Sequence, residues 1–528
     1  MKRIFALCTT LMLALVASGC SALDQLPQLG ENKPLHIVAA TELQDLEPLI
    51  QQAGEELGTD IEVTYLGGTL ENSQALKAGE LDGAYDATWF ATNRYANLIG
   101  AADALGEEYP LASSPIAIGL RSEIARSNGW VDNPPTWEDL AQAAKDGEFT
   151  FGMTDPTASN SGFSTVVSAA TALADTGVAL SQQDLDAVGP QLGEFFSAQT
   201  LSSGSSGWLA DTFRDDSSKA DGIFNYESTL HQLKKDGVDL EVIVPADGTI
   251  TADYPLSTLR TPQHEGSADT VRELAEWFEE HQQEVADTYR RPVFPVDALP
   301  AELSGQNPID LQYPANETVA RTLLERYNDD FRRPGQSIFL LDTSGSMQGE
   351  RMTSLKAIMG QLIGGSAATS TGDVSFRNRE SVSLRPFNSE LLDGVTATLS
   401  EDDPQSRATL SEFIDGLEAD GYTATYGALK GVLEEQAKMR SAEQDGEFRA
   451  PTIVLLSDGE ATVPPFYDEF AAEYAQHDEW AGIPVFVILY GEAKRAEMDK
   501  LAELTGGKVF DAQQAELAEM FKEIRGYQ

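Results

Sequence analysis

Two carboxylates and three hydroxyls fall at places in this sequence where oxygen ligands for a metal could collect. The stretch FLLDTSGSM (339–347) is an apolar run that ends abruptly in Asp342, with Ser344 and Ser346 following at alternate positions. TIVLLSD (452–458) is a second buried-strand pattern, and it ends in Asp458. Thr423 lies in the loop ADGYTATYGAL, just before a helical pattern. All five offer hard oxygen donors, which suit Mg²⁺, Mn²⁺ or Ca²⁺ and not Zn²⁺. The chain has five scattered His and two Cys, both close to the N-terminus, so a zinc site has no material. Taken singly, the pieces also have ordinary structural readings: Ser346 as a helix N-cap, Asp458-Gly459 as a turn.

The elements that must position these groups follow an α/β order. SIFLLD, RMTSLKAIMGQLIGG, SVSLRPFNS, LSEFIDGLEADG, TYGALKGVLEEQAK, TIVLLSDGE, IPVFVILYG, KVFDA and QQAELAEMFKEI alternate strand and helix. That order predicts a doubly wound sheet, in which functional groups gather at the carboxyl ends of strands near the topological switch. LLDTSG also grazes the Asp-Thr-Gly triplet of aspartic proteases, but Ser344 interrupts it, no second copy exists and the α/β pattern is wrong for that all-β fold. A phosphate loop is excluded for lack of its Gly-Lys-Ser/Thr element.

LLDTSGSM, GYTATYGAL and IVLLSDGE, in this order and spacing, resemble a von Willebrand factor A (VWA) domain with a metal-ion-dependent adhesion site. The family's threonine loop usually reads Gly-Gly-Thr. Here it reads Gly421-Tyr422-Thr423, which leaves Thr425 as the fallback. The resemblance implies that Ser344 and Ser346 bind the metal through their hydroxyls, and that Asp342, Thr423 and Asp458 bind it directly or through water. It implies a divalent cation, Mg²⁺ first, with Mn²⁺ or Ca²⁺ as alternatives, whose sixth position attracts a Glu or Asp of a protein partner. Nothing in the set supplies a general base or nucleophile, so the expectation is binding and not catalysis.

Residues 35–300 alternate short strands and helices in a β-α-β-α-β order, and a second unit begins near Pro115. EYPLASS and DYPLSTL echo one another and read as paired crossings between two lobes. SADTVRELAEWFEEHQQEVADTYR reads as one amphipathic helix returning to the first lobe. IVAATELQDLEPL, YLGGTLENSQAL, YDATWFATN, DPTASNSGFSTVVSAATAL and GIFNYESTL resemble a two-lobed periplasmic solute-binding protein of the type II arrangement. The resemblance implies a cleft lined by Thr41, Gly68, Thr69, Thr88, Ser159, Asn160, Ser161 and Glu227. Its solute would be small and polar or anionic, with the helix opening at Ser159 offering free N–H groups to an oxyanion. A lobe that has lost its solute explains the same residues through helix capping alone. Residues 301–334, rich in proline and polar side chains, read as a linker to the VWA unit at 335–528.

The formal net charge of −49 argues against nucleic acid, whose phosphates need Lys and Arg. At the N-terminus, Lys2 and Arg3 precede a short apolar run and the sequence ASGC. This resembles a bacterial lipoprotein signal: residues 1–19 as signal peptide, Cys20 as the lipidated residue and 20–34 as a polar tether. With Cys8 in the signal, no disulfide is expected within the domains. The expectation is an extracytoplasmic protein, lipid-anchored to the cell envelope, that grips a protein partner through its metal site while the two-lobed region acts as sensor or spacer. The alternative is a transport-associated protein that delivers a solute.

Overall fold

The computed structural model describes residues 33–305, 307–365, 368–369, 372–373, 375–400, 403–442, 451–458, 461–490, 495–512, 520–521 and 524. The stretch expected to be a signal peptide, Cys20 and nearly all of the expected tether lie outside these, as do Gly459 and most of QQAELAEMFKEI. Among the described residues no helix is long and apolar enough to cross a membrane.

Short apolar strands separated by capped helices build the N-terminal region. Leu35–Ala40 pairs in parallel with Ile61–Gly67 on one side and Ala87–Trp89 on the other. The helix Glu47–Leu57 has Pro48 in its first turn and stops at Gly58, whose left-handed φ of 67° lets its N–H donate to Gly54 O. Pro255–Leu259 then inserts antiparallel between Ala87–Trp89 and Leu105–Pro110 and completes a five-stranded sheet. The second lobe is a seven-stranded sheet. Its main path runs Thr251–Ala252, Ala112–Arg121, Gly222–Tyr226, Phe151–Thr154, Gln199–Ser203. Two of the chain's passages between the lobes thus run side by side, with Pro110 of EYPLASS the register partner of Pro255 of DYPLSTL, and a third leads to Arg291–Pro292, which pairs with Ala112–Arg121. The second crossing is strained: Tyr254 sits at φ +41°, a region bulky side chains avoid. Its N–H and that of Asp253 donate to Ala91 O at 2.9 and 3.0 Å.

Two expectations change here. The single helix over SADTVRELAEWFEEHQQEVADTYR is two helices, Ser267–Glu280 and Gln282–Asp287. Gln282 at the break donates to Leu111 O at 2.9 Å and accepts from Val293 N, so it clamps the first crossing. The segment 301–334 is more than a linker. It contains the helix Glu317–Arg326, whose Val319, Ala320 and Leu323 join the N-terminal core with Tyr327 and Phe331. That three-and-four spacing is real but short, and Pro308, Pro314 and Pro334 around it gave the stretch the composition of a joint.

In the C-terminal unit, Gln336–Asp342 alternates its side chains between two cores. Phe339 and Leu341 pack with Met359 and Leu362 of the helix Glu350–Gly364, and Leu410 of Pro404–Asp415 joins them. Ile338 and Leu340 pack on the opposite face with Leu429, Phe470 and Leu501, from the helices Thr425–Ala442, Tyr467–Tyr474 and Arg495–Thr505. The strand is buried on both sides, which is why it reads as a continuous apolar run. The six-stranded sheet runs Val395–Thr398, Ser381–Phe387, Gln336–Asp342, Thr452–Ser457, Val485–Leu489, Val509–Asp511. All its pairings are parallel except that of the edge strand Val395–Thr398. From Gln336–Asp342 the chain first adds a strand on one side and later returns to add Thr452–Ser457 on the other. The crevice between the ends of these two strands is therefore the switch point.

Candidate metal site and interlobe cleft

Three segments meet at that switch point. Asp342, fully buried at the strand end, accepts from Ser344 N at 2.9 Å and from Ser457 Oγ at 2.6 Å. Burial pushes its carboxyl up from the usual range, and those two hydrogen bonds act against the rise. Ser344 Oγ and Ser346 Oγ lie 3.1 Å apart. The helix after them starts at Glu350, capped by Gly349, so Ser346 does not serve as its N-cap. The threonine loop is stitched to the first segment by backbone: Gly345 N donates to Gly421 O at 3.0 Å, and Asp420 N to Thr343 O at 2.8 Å. Gly421 makes this turn at φ +84°, and a side chain there would press on Ser389 Oγ at 3.0 Å. Thr423 is buried, with its N–H donating to Thr462 Oγ1 at 2.8 Å. Thr425, the fallback, is fully buried and its Oγ1 has no hydrogen-bond partner.

Asp458 closes the set. Its Oδ1 is buried without a hydrogen-bond partner, an expensive state for a carboxylate oxygen. Its Oδ2 takes the Arg351 guanidinium at 2.6 Å. Sequence reasoning missed Arg351. The available signal was a cation in the first turn of a helix, where the helix dipole favours anions. The residues present fit a hard divalent cation: two carboxylates, one with an orphaned buried oxygen, and neighbouring hydroxyls. Among the described residues no group of three or more His, Cys, Asp or Glu is placed to hold a metal ion, so an ion here would lean on hydroxyls and water beside the two Asp. Ser346 is exposed, so the site opens to the surface.

Residues 338–523 match the family model of the von Willebrand factor type A domain. The VWA domain thus covers the whole switch-point site, and the doubly wound sheet is its fold. A search of curated proteins returns no match. Among solved structures, the periplasmic binding protein AfuA of Actinobacillus pleuropneumoniae, with fructose-6-phosphate bound, is 12% identical. The match covers 56% of this chain and 98% of that one, at a TM-score of 0.45. The sulfate-binding protein SubI of Mycobacterium tuberculosis is 17% identical over 55% of this chain and 98% of its own, at a TM-score of 0.42. A von Willebrand factor type A structure from Catenulispora acidiphila is 20% identical over 37% of this chain and 42% of its own, at a TM-score of 0.28.

Ahead of the VWA domain, the two lobes close on a carboxylate of the chain itself. Glu42, in the turn after Leu35–Ala40, accepts from Tyr226 OH at 3.2 Å and from Thr69 Oγ1 at 3.4 Å through one oxygen. Its other oxygen accepts from Thr41 Oγ1 at 3.4 Å. Tyr226 belongs to the second lobe and also accepts from Asn160 Nδ2 at 3.0 Å. Burial pushes the Glu42 carboxyl up from its usual range, and these hydrogen bonds offset part of the rise. Ser161 sits in a hydroxyl cluster with Thr154 Oγ1 at 2.9 Å, Ser206 Oγ at 2.8 Å and Ser159 Oγ at 3.2 Å. Gly68 is pressed against the other lobe: a Cβ there would come within 2.5 Å of Ala158 O.

Of the residues expected to line the cleft, Thr41, Gly68, Thr69, Ser159, Asn160 and Ser161 gather at this junction, joined by Glu42 and Tyr226, which the sequence did not single out. Glu227 and Thr88 stand apart from this group. Glu227 is held by Arg291 in a two-point ion pair at 2.7 and 2.8 Å and is buried, so its carboxylate is already committed. Thr88 is fully buried within the strand Ala87–Trp89, between its neighbours Val38 and Ser257, and its Oγ1 has no hydrogen-bond partner. The correction is Glu227: it opens the helix Glu227–Lys235, where Arg291 reaches its carboxylate inside the fold.

Proposed function

We propose that the VWA domain binds a divalent cation, Mg²⁺ first, and through it a carboxylate of a protein partner. The observation that carries this reading is Asp458 Oδ1, buried and without a partner among donors that are otherwise hydroxyls and a second Asp. Asp342, Ser344, Ser346, Thr423 and Asp458 would hold the ion. The ion would supply Lewis acidity to a partner's Glu or Asp. The site offers no general base or nucleophile, which supports binding and not catalysis.

The two-lobed region would serve as sensor or spacer, because its cleft is closed on Glu42. The basic, apolar and small-residue pattern ending at Cys20 supports an extracytoplasmic, lipid-anchored protein. A Cys20→Ala form is expected in the soluble fraction. Retention in the membrane fraction would count against the anchor. For the metal, calorimetric titration of the protein with Mg²⁺, Mn²⁺ and Ca²⁺ is expected to give heat that Asp342→Asn or Ser344→Ala diminishes by about tenfold or more in affinity. No heat from any of the three ions with folded protein would defeat the reading.

A further inference from the structure

We propose that Arg351 is a resident counter-cation of the metal site, occupying Asp458 when no divalent ion is bound and giving it up when one enters. The inference rests on the metal reading above and concerns what sets the affinity of that site.

One guanidinium nitrogen, Nη1, contacts two of the site's residues. It lies 2.6 Å from Asp458 Oδ2 and 3.1 Å from the backbone oxygen of Ser346. Asp458 is only 6% exposed on its side chain, so its charge needs a cation nearby, whereas the Arg351 side chain is 44% exposed and has water to move into. The pairing is also incomplete. A guanidinium can grip both oxygens of a carboxylate with parallel bonds, as Arg291 grips Glu227 and Arg290 grips Asp45 in this same chain. Arg351 takes one oxygen of Asp458 and leaves the other buried and unpartnered. A structural ion pair would satisfy both, while a placeholder leaves an oxygen for the ion it stands in for.

The position of the arginine is costly without such a role. It lies in the first turn of Glu350–Gly364, where the helix dipole repels a cation. Arginine cannot relieve a clash with an incoming ion by losing its proton. Two cations sharing one carboxylate repel at short range, so a divalent ion reaching Asp458 displaces the guanidinium toward solvent. Arg351 therefore weakens metal binding while protecting the metal-free site from the repulsion between Asp342 and Asp458.

The test compares the whole protein with Arg351→Gln and Arg351→Lys. Each is titrated calorimetrically with Mg²⁺ and Mn²⁺, and each is melted in chelator and in saturating Mg²⁺. Arg351→Gln is expected to bind Mg²⁺ roughly tenfold tighter or more, to melt below the parent in chelator, and to lose that deficit in saturating Mg²⁺. Arg351→Lys keeps the charge on a shorter, one-point donor and is expected to fold and to show a smaller gain of the same sign. It carries the test if Arg351→Gln does not fold without metal. Equal or weaker Mg²⁺ binding by the folded variants would overturn the proposal and leave the metal reading standing, with Arg351 as a support of the site. No binding by parent and variants alike would overturn both.

Discussion

Tyr226 donates its phenolic hydroxyl to Glu42 at 3.2 Å, and the bond joins the second lobe to the first. Burial at this junction raises the Glu42 carboxyl above its ordinary value of 4.5. The native state therefore keeps a proton to higher pH than the unfolded chain does, and stability falls as pH rises from about 4.5 through the raised value. Glu42→Gln should remove that fall and raise the melting temperature of the N-terminal region at neutral pH. Thermal melts at several pH values, followed by a probe of this region, check it. A Gln variant that melts lower than the parent at neutral pH would show that the charge itself holds the lobes together.

His231 works in the opposite direction. Burial pushes its imidazole down from 6.5 to about 4, against Tyr289 and with Nδ1 unpartnered. The unfolded chain binds a proton in that window and the native state does not, so this contribution is lost as pH falls from 6.5 toward 4. The expected loss is on the order of 1–2 kcal/mol, and His231→Gln should flatten it. Chemical denaturation at pH 7 and pH 4.5, parent against variant, measures the difference.

Gly68 offers a handle on the cleft. Its φ is −74°, so an added side chain meets no backbone strain at the residue itself. What it meets is Ala158 O of the other lobe, 2.5 Å from the new Cβ. Gly68→Val should prop the lobes apart, and small-angle scattering should show a larger radius of gyration than the parent with the secondary structure unchanged. An unchanged radius would mean that the lobes shift sideways to accommodate it.

Arg291 neutralises Glu227 at the edge of the second sheet, with both side chains largely removed from water. Burial alone would push the Glu227 carboxyl up, and Arg291 acts against that. Arg291→Met should cost about 3 kcal/mol, because it strands a buried carboxylate, while Arg291→Met combined with Glu227→Leu should recover much of the loss. Urea unfolding of the single and double variants decides the point.

Much of the candidate site was legible because its residues stand at the ends of strands with an unmistakable local pattern. FLLDTSGSM and TIVLLSD are continuous apolar runs, since Gln336–Asp342 and Thr452–Ser457 are covered on both faces, and each run stops at a carboxylate. The edge strand Val395–Thr398 escaped notice because only alternate residues of its four are partly covered. Arg351 escaped because its partner Asp458 is 107 residues away, and Glu42 because Tyr226 is 184 residues away.

By itself, the sequence determined the two α/β architectures, the paired crossings at EYPLASS and DYPLSTL, and the oxygen-rich strand ends. These follow from hydrophobic periodicity and backbone chemistry, which act over a few residues. Only the tertiary structure decided which charge answers which: Arg351 for Asp458, Arg291 for Glu227, and for Glu42 no cation, only hydroxyls from both lobes. Coulombic and hydrogen-bond energies depend on the distance between groups in space, and that distance is set only when remote segments pack together.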